Sequence, residues 1–204
     1  MSIEFDLDGQ HRSKAYGILA SLVTPRPIAL ITSINEDGVI NAAPFSFFNV
    51  FGSNPPMVVV APGNREPSIP KDTARNIRSN REFVVNLVDE AIAQQMVRCS
   101  DALAPAESEI SHAGFSTQDS SIVLPPRITE APAALECREH STIEVGTNRM
   151  IIGIVHRVHV RDGIMDAESG RLLKDGVHYA PLGRMASPDW YCRTGQPENR
   201  IRLT

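Results

Sequence analysis

The chain has 204 residues, 42% of them hydrophobic, which is enough for one domain with a sizeable core. Its formal charge is -4 and its Lys and Arg residues are spread along the chain, so it lacks the basic patch that nucleic-acid binding requires. Three separated cysteines, Cys99, Cys137 and Cys192, match neither a disulfide framework nor a C-x-x-C metal site. With an acidic start free of an apolar leader and no run approaching the ~18 apolar residues of a membrane span, this predicts a cytoplasmic chain with reduced thiols.

Residues 28–34 form a short apolar run rich in β-branched side chains, which predicts a buried strand. Asn35-Glu36-Asp37-Gly38 supplies a tight turn, because Asp-Gly favours positive φ, so residues 39–49 are expected to return antiparallel. Pro44 interrupts that return. Having no amide hydrogen, it is expected to take Ala43 and itself out of the ladder and leave polar backbone groups facing a ligand. Residues 57–61 read as a third strand, followed by an irregular stretch at 62–70. Asp72 is predicted to cap a short helix running from Thr73 to about Asn80, and residues 82–88 return to strand composition.

A further helix is expected from about Asp89, with Ile92, Met96 and Cys99 on one face. Residues 101–130 read as a surface excursion with a helical turn at 106–110. Residues 134–145 and 150–160 are predicted to pair as a hairpin about Gly146-Thr147-Asn148. Along its second strand, alternation puts His156 and His159 on opposite faces, so the two do not chelate one metal and no metal site is expected. With roughly six or seven strands, a few short helices and no βαβ alternation, the pattern is mainly β and favours an antiparallel barrel.

None of G-x-S-x-G, G-x-G-x-x-G, H-E-x-x-H or the P-loop pattern occurs. The segment Asn41-Ala42-Ala43-Pro44-Phe45-Ser46-Phe47-Phe48-Asn49 instead combines amides, a hydroxyl and three phenylalanines, a mixture that suits a flat heteroaromatic ligand with a polar rim. Three strings in order, Pro25-Arg26-Pro27-Ile28-Ala29-Leu30, Asn41-x-Ala43-Pro44-x-Ser46-x-Phe48 and Lys71-Asp72-Thr73-x-x-Asn76, with a late Leu182-Gly183-Arg184, resemble the flavin reductase-like, FMN-binding split-barrel family.

The resemblance implies one domain over residues 1–204, with a Greek-key split barrel of six strands spanning about 16–190 and a tail at 191–204. It also implies a homodimer with FMN near the subunit boundary, and NADH or NADPH as electron donor. At matching positions, Arg26 is expected beside the flavin and Asn41, Ala43, Pro44, Phe45 and Ser46 along its ring and ribityl chain. The Lys71-Asp72-Thr73 turn is expected, with Ser46, at the ribityl and phosphate end, and Asn76 of the same motif and Arg184 of the late one are further cofactor-binding candidates; after the late motif this chain departs from the family pattern at residues 186–190.

Plainer roles stand beside these: a helix cap for Asp72, local backbone bonding for Asn76, core packing for the phenylalanines and a surface ion pair for Arg26. His178, before Tyr179-Ala180-Pro181, is a candidate to reach the surroundings of the ring. No acid or base is named, because the flavin carries the chemistry. The implied activity is transfer of electrons from a nicotinamide through flavin to a flavin, a partner oxygenase or a small acceptor. The alternatives are an electron-transfer module inert to nicotinamides and a sensor or metal-binding barrel on the same scaffold.

Overall fold

Seven antiparallel strands form one sheet in the spatial order Ile40–Phe45, Ala29–Ile34, Glu82–Leu87, Ala133–Val145, Asn148–Val160, Pro56–Val60, Phe48–Ser53 in this computed structural model. It describes residues 2–66, 68–103, 107–173, 179–186 and 189–194. The first and last strands of that order are consecutive in the chain, joined only by Ser46 and Phe47. The sheet therefore curls until its two edges meet, and the barrel is split at this junction. Taken as one bent strand, the two edges reduce the barrel to the six strands implied by resemblance.

Every strand contributes to a single interior cluster that includes Ala29, Ile31, Phe45, Phe48, Val60, Phe83, Cys137 and Ile151. Helix Asp72–Asn80 adds Ala74 and Ile77 to that cluster and so plugs one end. The opposite face is covered where the Ala29–Ile34 and Ile40–Phe45 strands lie. Leu30 and Ala42 pack under Ile92, Met96, Cys99, Ile110 and Ala113, which come from the helical segments around Ala93–Arg98 and Glu109–Ala113. This second layer explains why the Ala29–Ile34 strand is buried on both faces rather than in alternation.

The excursion between the Ala93–Arg98 helix and the hairpin is fastened by buried polar groups. Glu136, fully buried, accepts hydrogen bonds from the amides of Ser121 (2.7 Å) and Ile122 (2.8 Å) and from His159 Nε2 (2.5 Å). Asn86 accepts from the Ile128 amide, and Thr32 donates to the Pro126 carbonyl. These side chains replace the ladder bonds that irregular backbone cannot make.

Several local expectations need correction. Ala43 and Pro44 stay in the ladder, opposite Ile31 and Leu30, and the break falls two residues later, at Ser46 and Phe47. The reason is parity: the Ala42 amide points out of the sheet to Glu109 Oε2 (3.1 Å), so Pro44, two residues on, turns its nitrogen to the same open edge and sacrifices no ladder bond. Lys71, not Asp72, occupies the N-cap position of helix Asp72–Asn80, and no side chain caps it. The short helix of the excursion is Glu109–Ala113, later than the expected turn; Ala106 lies outside the described residues.

At the far end, Tyr191–Arg193 is a strand rather than free tail. It pairs with Leu182–Arg184, which pairs with Arg26–Pro27, while residues 195–204 lie outside the described residues. Helix Ala15–Leu22 had no counterpart in the sequence reading, because seven of its eight residues carry no buried face and leave no helical periodicity to detect. The hairpin, the turn at residues 35–38 and the face formed by Ile92, Met96 and Cys99 are as expected. Among the described residues no helix is long and apolar enough to cross a membrane.

Candidate functional site

The split in the barrel gathers the three motifs. Arg26, on its short strand, reaches Ser46 Oγ with Nε at 3.4 Å, and its guanidinium lies 5.8 Å from the Phe47 ring centroid. Asn41 donates to Thr73 Oγ1 at 2.9 Å, tying the edge strand to the first turn of helix Asp72–Asn80. Lys71 Nζ sits 5.5 Å from the Phe45 ring centroid. Residues distant in sequence thus form one strip: Arg26 and Ser46 at one end, Phe45 between, and Lys71 and Thr73 at the other.

Arg26 is buried at 7% exposure, which rules out a surface ion pair. Its guanidinium donates to the carbonyls of Ala20 (2.6 Å), Val23 (2.7 Å) and Met185 (3.0 Å). It therefore clamps the end of helix Ala15–Leu22 to the residues after Leu182–Arg184, and its planar fork of donors is what such a junction needs. Arg184 is the cross-strand partner of Arg26 and lies 4.7 Å over the Tyr191 ring, with Asp189 at 3.7 Å.

The phenylalanines separate cleanly. Phe45 and Phe48 are core residues at 7% and 8% exposure, whereas Phe47 is 42% exposed and contacts Tyr16, ring centroids 6.0 Å apart. Tyr16, Leu19, Leu22 and Val23 are also exposed, so an apolar shelf borders the split. Asn76 is buried and donates to Ser33 Oγ at 3.1 Å; it braces the helix on the barrel instead of bonding local backbone.

Asp72 does not cap its helix. Its carboxylate pairs with Arg65 and, at 2.5 Å, with Arg75. The helix start therefore carries Arg65, Lys71 and Arg75 against one acidic group, with first-turn amides that no side chain caps. The sequence reading missed Arg65 and Arg75. Arg75 was detectable as the i+3 partner of Asp72, while Arg65 arrives through the Asn64–Glu66 and Ile69–Pro70 ribbon, which residues 62–70 do not announce.

Also missed were Ser108 and Glu109. They bind the open edge of the Ile40–Phe45 strand through Ser108 Oγ to the Ile40 carbonyl (2.8 Å) and Glu109 to the Ala42 amide. Beyond Pro44, which has no amide to offer, the edge runs directly into Ser46 and Phe47. All three cysteines are free thiols. Burial, helped by Glu109 and Asp101, pushes the Cys99 thiol up to about 12, and burial likewise raises Cys137, so both are inert protonated thiols. No cluster of His, Cys, Asp and Glu among the described residues is arranged to hold a metal. His159 belongs to Glu136, His156 is exposed, and His178 lies outside the described residues.

The family described as flavin reductase like domain matches residues 21–183, the span that contains Arg26, the split and the helix start. The chain belongs to the flavin reductase-like family. It is 37% identical to the crystal structure of 2-nitrobenzoate 2-nitroreductase from Pseudomonas fluorescens, with a TM-score of 0.86 over 99% of this chain and 95% of that one. It is 30% identical to nitrilotriacetate monooxygenase component B from Bacillus cereus, with a TM-score of 0.90 over 100% of this chain and 99% of that one. The protein YwrF of Bacillus subtilis is 38% identical over 194 residues, covering 88% of this chain and 94% of its own. The fold is thus the split barrel of flavin reductase-like oxidoreductases, and its antiparallel strands with few short helices match that architecture.

Proposed function

We propose that this chain is an FMN-dependent oxidoreductase that takes electrons from NADH or NADPH and passes them to a free flavin, a partner oxygenase or a small organic acceptor. The observation that carries this reading is the convergence of Arg26, Asn41, Ser46, Lys71 and Thr73 along the split of the barrel. The residues fit the group at both of its ends. Lys71, Arg65, Arg75 and the uncapped helix start suit a phosphate, and the exposed Phe47 with Tyr16 suits one side of a flat ring.

On this reading the backbone of residues 43–46 meets the polar edge of the ring and Ser46 faces the ribityl chain. Asn41 and Thr73 hold the ring segment and the phosphate segment at a fixed separation. Arg26 acts as a positioning residue, since its donors are engaged by three carbonyls and by Ser46. FMN when bound supplies the electron chemistry itself, so the protein contributes placement and exclusion of competing reactions. Two acceptor classes follow from the relatives: a nitroaromatic acid, as in the name of the Pseudomonas protein, and a monooxygenase partner, as in that of the Bacillus component. Three free thiols suit a reducing, cytoplasmic setting.

The same reading includes a homodimer. The edge strand Phe48–Ser53 exposes Val50 and Phe51, so apolar surface borders the split where a second copy would complete the site.

Anaerobic titration of FMN-loaded protein with each nicotinamide tests the activity. Bleaching of the flavin absorbance with at least one donor is expected. A bound flavin inert to both would sink the reductase reading in favour of an electron-transfer module, and failure to take up FMN would remove both.

A further inference from the structure

A cavity of about 350 Å³ lies between helix Asp72–Asn80 and the hairpin. We propose that it binds the ribose-phosphate end of a nucleotide, with Arg78 and Arg149 holding the phosphate. Neither arginine belongs to the strip described above. Arg78 shares a helix face with Ala74, one turn earlier, and both line the cavity, whereas Lys71 and Thr73 serve the split.

The arginines converge on a single atom. Glu144 Oε1 lies 3.4 Å from Arg78 Nη1 and 3.5 Å from Arg149 Nε. Charge-assisted bonds usually shorten to ~2.7–2.9 Å, so this carboxylate occupies the position loosely. Its side chain is 52% exposed and sits on a strand of the hairpin tip, free to turn into solvent. Arg149 is fixed: its side chain is only 15% exposed, and it also donates to Asn64. One half-buried and one exposed guanidinium facing a displaceable anion make a site that a stronger anion can take over.

The charge balance favours a phosphate. Arg81 is neutralised by Glu139 at 3.0 Å, and Glu139 is further fixed by the Thr142 hydroxyl at 2.5 Å. Once Glu144 swings away, two guanidiniums remain without a fixed counter-charge, which a phosphate monoester of about -1.5 to -2 near neutral pH matches better than a carboxylate does. Small-molecule sites span ~300–1,000 Å³, and this cavity lies near the lower bound, so it admits a nucleotide fragment but not a whole dinucleotide. Ser141 offers a hydroxyl to the sugar, and Ala74 and Ile151 supply apolar wall.

The test is titration calorimetry of the full chain in excess FMN, with adenosine 2′-phosphate, adenosine 5′-phosphate, orthophosphate and adenosine as separate probes. At least one adenosine phosphate is expected to bind more tightly than adenosine and orthophosphate. Arg78→Ala, at a side chain 80% exposed, should weaken it about fivefold or more, and Glu144→Gln should tighten it. The same pattern is expected in a Lys71→Ala background, which keeps the result separate from the fate of the flavin reading. The proposal is overturned if neither nucleotide outbinds adenosine, if orthophosphate binds as tightly as both, or if Arg78→Ala and Glu144→Gln leave the affinities unchanged.

Discussion

Individual residues carry two expectations that can be separated from the fold. Lys71 is exposed and stands at an uncapped helix start, so removing its charge should act on a phosphate and spare a ring. Lys71→Ala is expected to weaken FMN binding roughly ten- to hundredfold, the range of one lost charge-assisted contact of about 1.5–3 kcal/mol, while riboflavin affinity changes little. Fluorescence-quenching titration with both flavins reads this directly, and equal losses would take Lys71 out of the phosphate site. Glu136 is the second. Burial pushes its pKa up, but the Ser121 and Ile122 amides and His159 outweigh burial and hold the carboxyl below its ordinary value. A group with a depressed folded pKa stabilises the protein above the ordinary carboxylate range, and that stability is lost as pH falls through the folded value. Glu136→Gln should therefore cost about 1.5–3 kcal/mol at neutral pH, and its deficit against the parent should shrink in acid. Urea denaturation at several pH values checks this; a deficit constant with pH would show that charge is irrelevant there.

Among the elements, the hairpin of Ala133–Val145 and Asn148–Val160 is the most demanding. It was legible from its β-branched strands and the Gly146 turn, but its irregularities were not. Pairing slips between Glu136 and Cys137 and again between Glu139 and Ser141, and such bulges arise from barrel curvature that one strand's sequence does not record. Gly153 marks a close approach: a Cβ there would lie 2.9 Å from Phe83 Cε1 and nearer still to Cζ, with Cys137 Cβ at 3.5 Å. Phe83 is fully buried and has no room to withdraw. Gly153→Ala is expected to destabilise the barrel by about 1–3 kcal/mol through overpacking, measured by thermal melting. An unchanged midpoint would mean that the ring has another place to go. The helix start shows the reverse limit. Asp72 has the composition of a cap, yet two arginines claim its carboxylate, and one of them arrives from a ribbon across the loop.

At the scale of the whole molecule, the exposed apolar groups beside the split bear on assembly. Phe51 is 63% exposed on an edge strand, a position that monomers usually blunt with charge. If the proposed dimer forms, Phe51→Glu is expected to shift it toward monomer at micromolar concentration in light scattering, without loss of the far-ultraviolet β signature. A parent that is already monomeric would remove the dimer from the proposed function.

The amino-acid sequence by itself determined the mainly antiparallel barrel, the order of its strands along the chain and the three short strings that carry the family resemblance, because turn chemistry and β-branched runs act locally. It also picked out residues 41–46 and 71–73 as the places to look. Only the tertiary structure decided where the barrel opens: the break at Ser46 and Phe47 depends on two sheet edges meeting, not on the proline beside it. It also decided that Arg26 is a buried clamp, that Arg65 joins Lys71, and that Arg78 and Arg149 share a cavity. Each of these is a contact across distant segments, and such contacts are set by packing and sheet closure, to which no local pattern is sensitive.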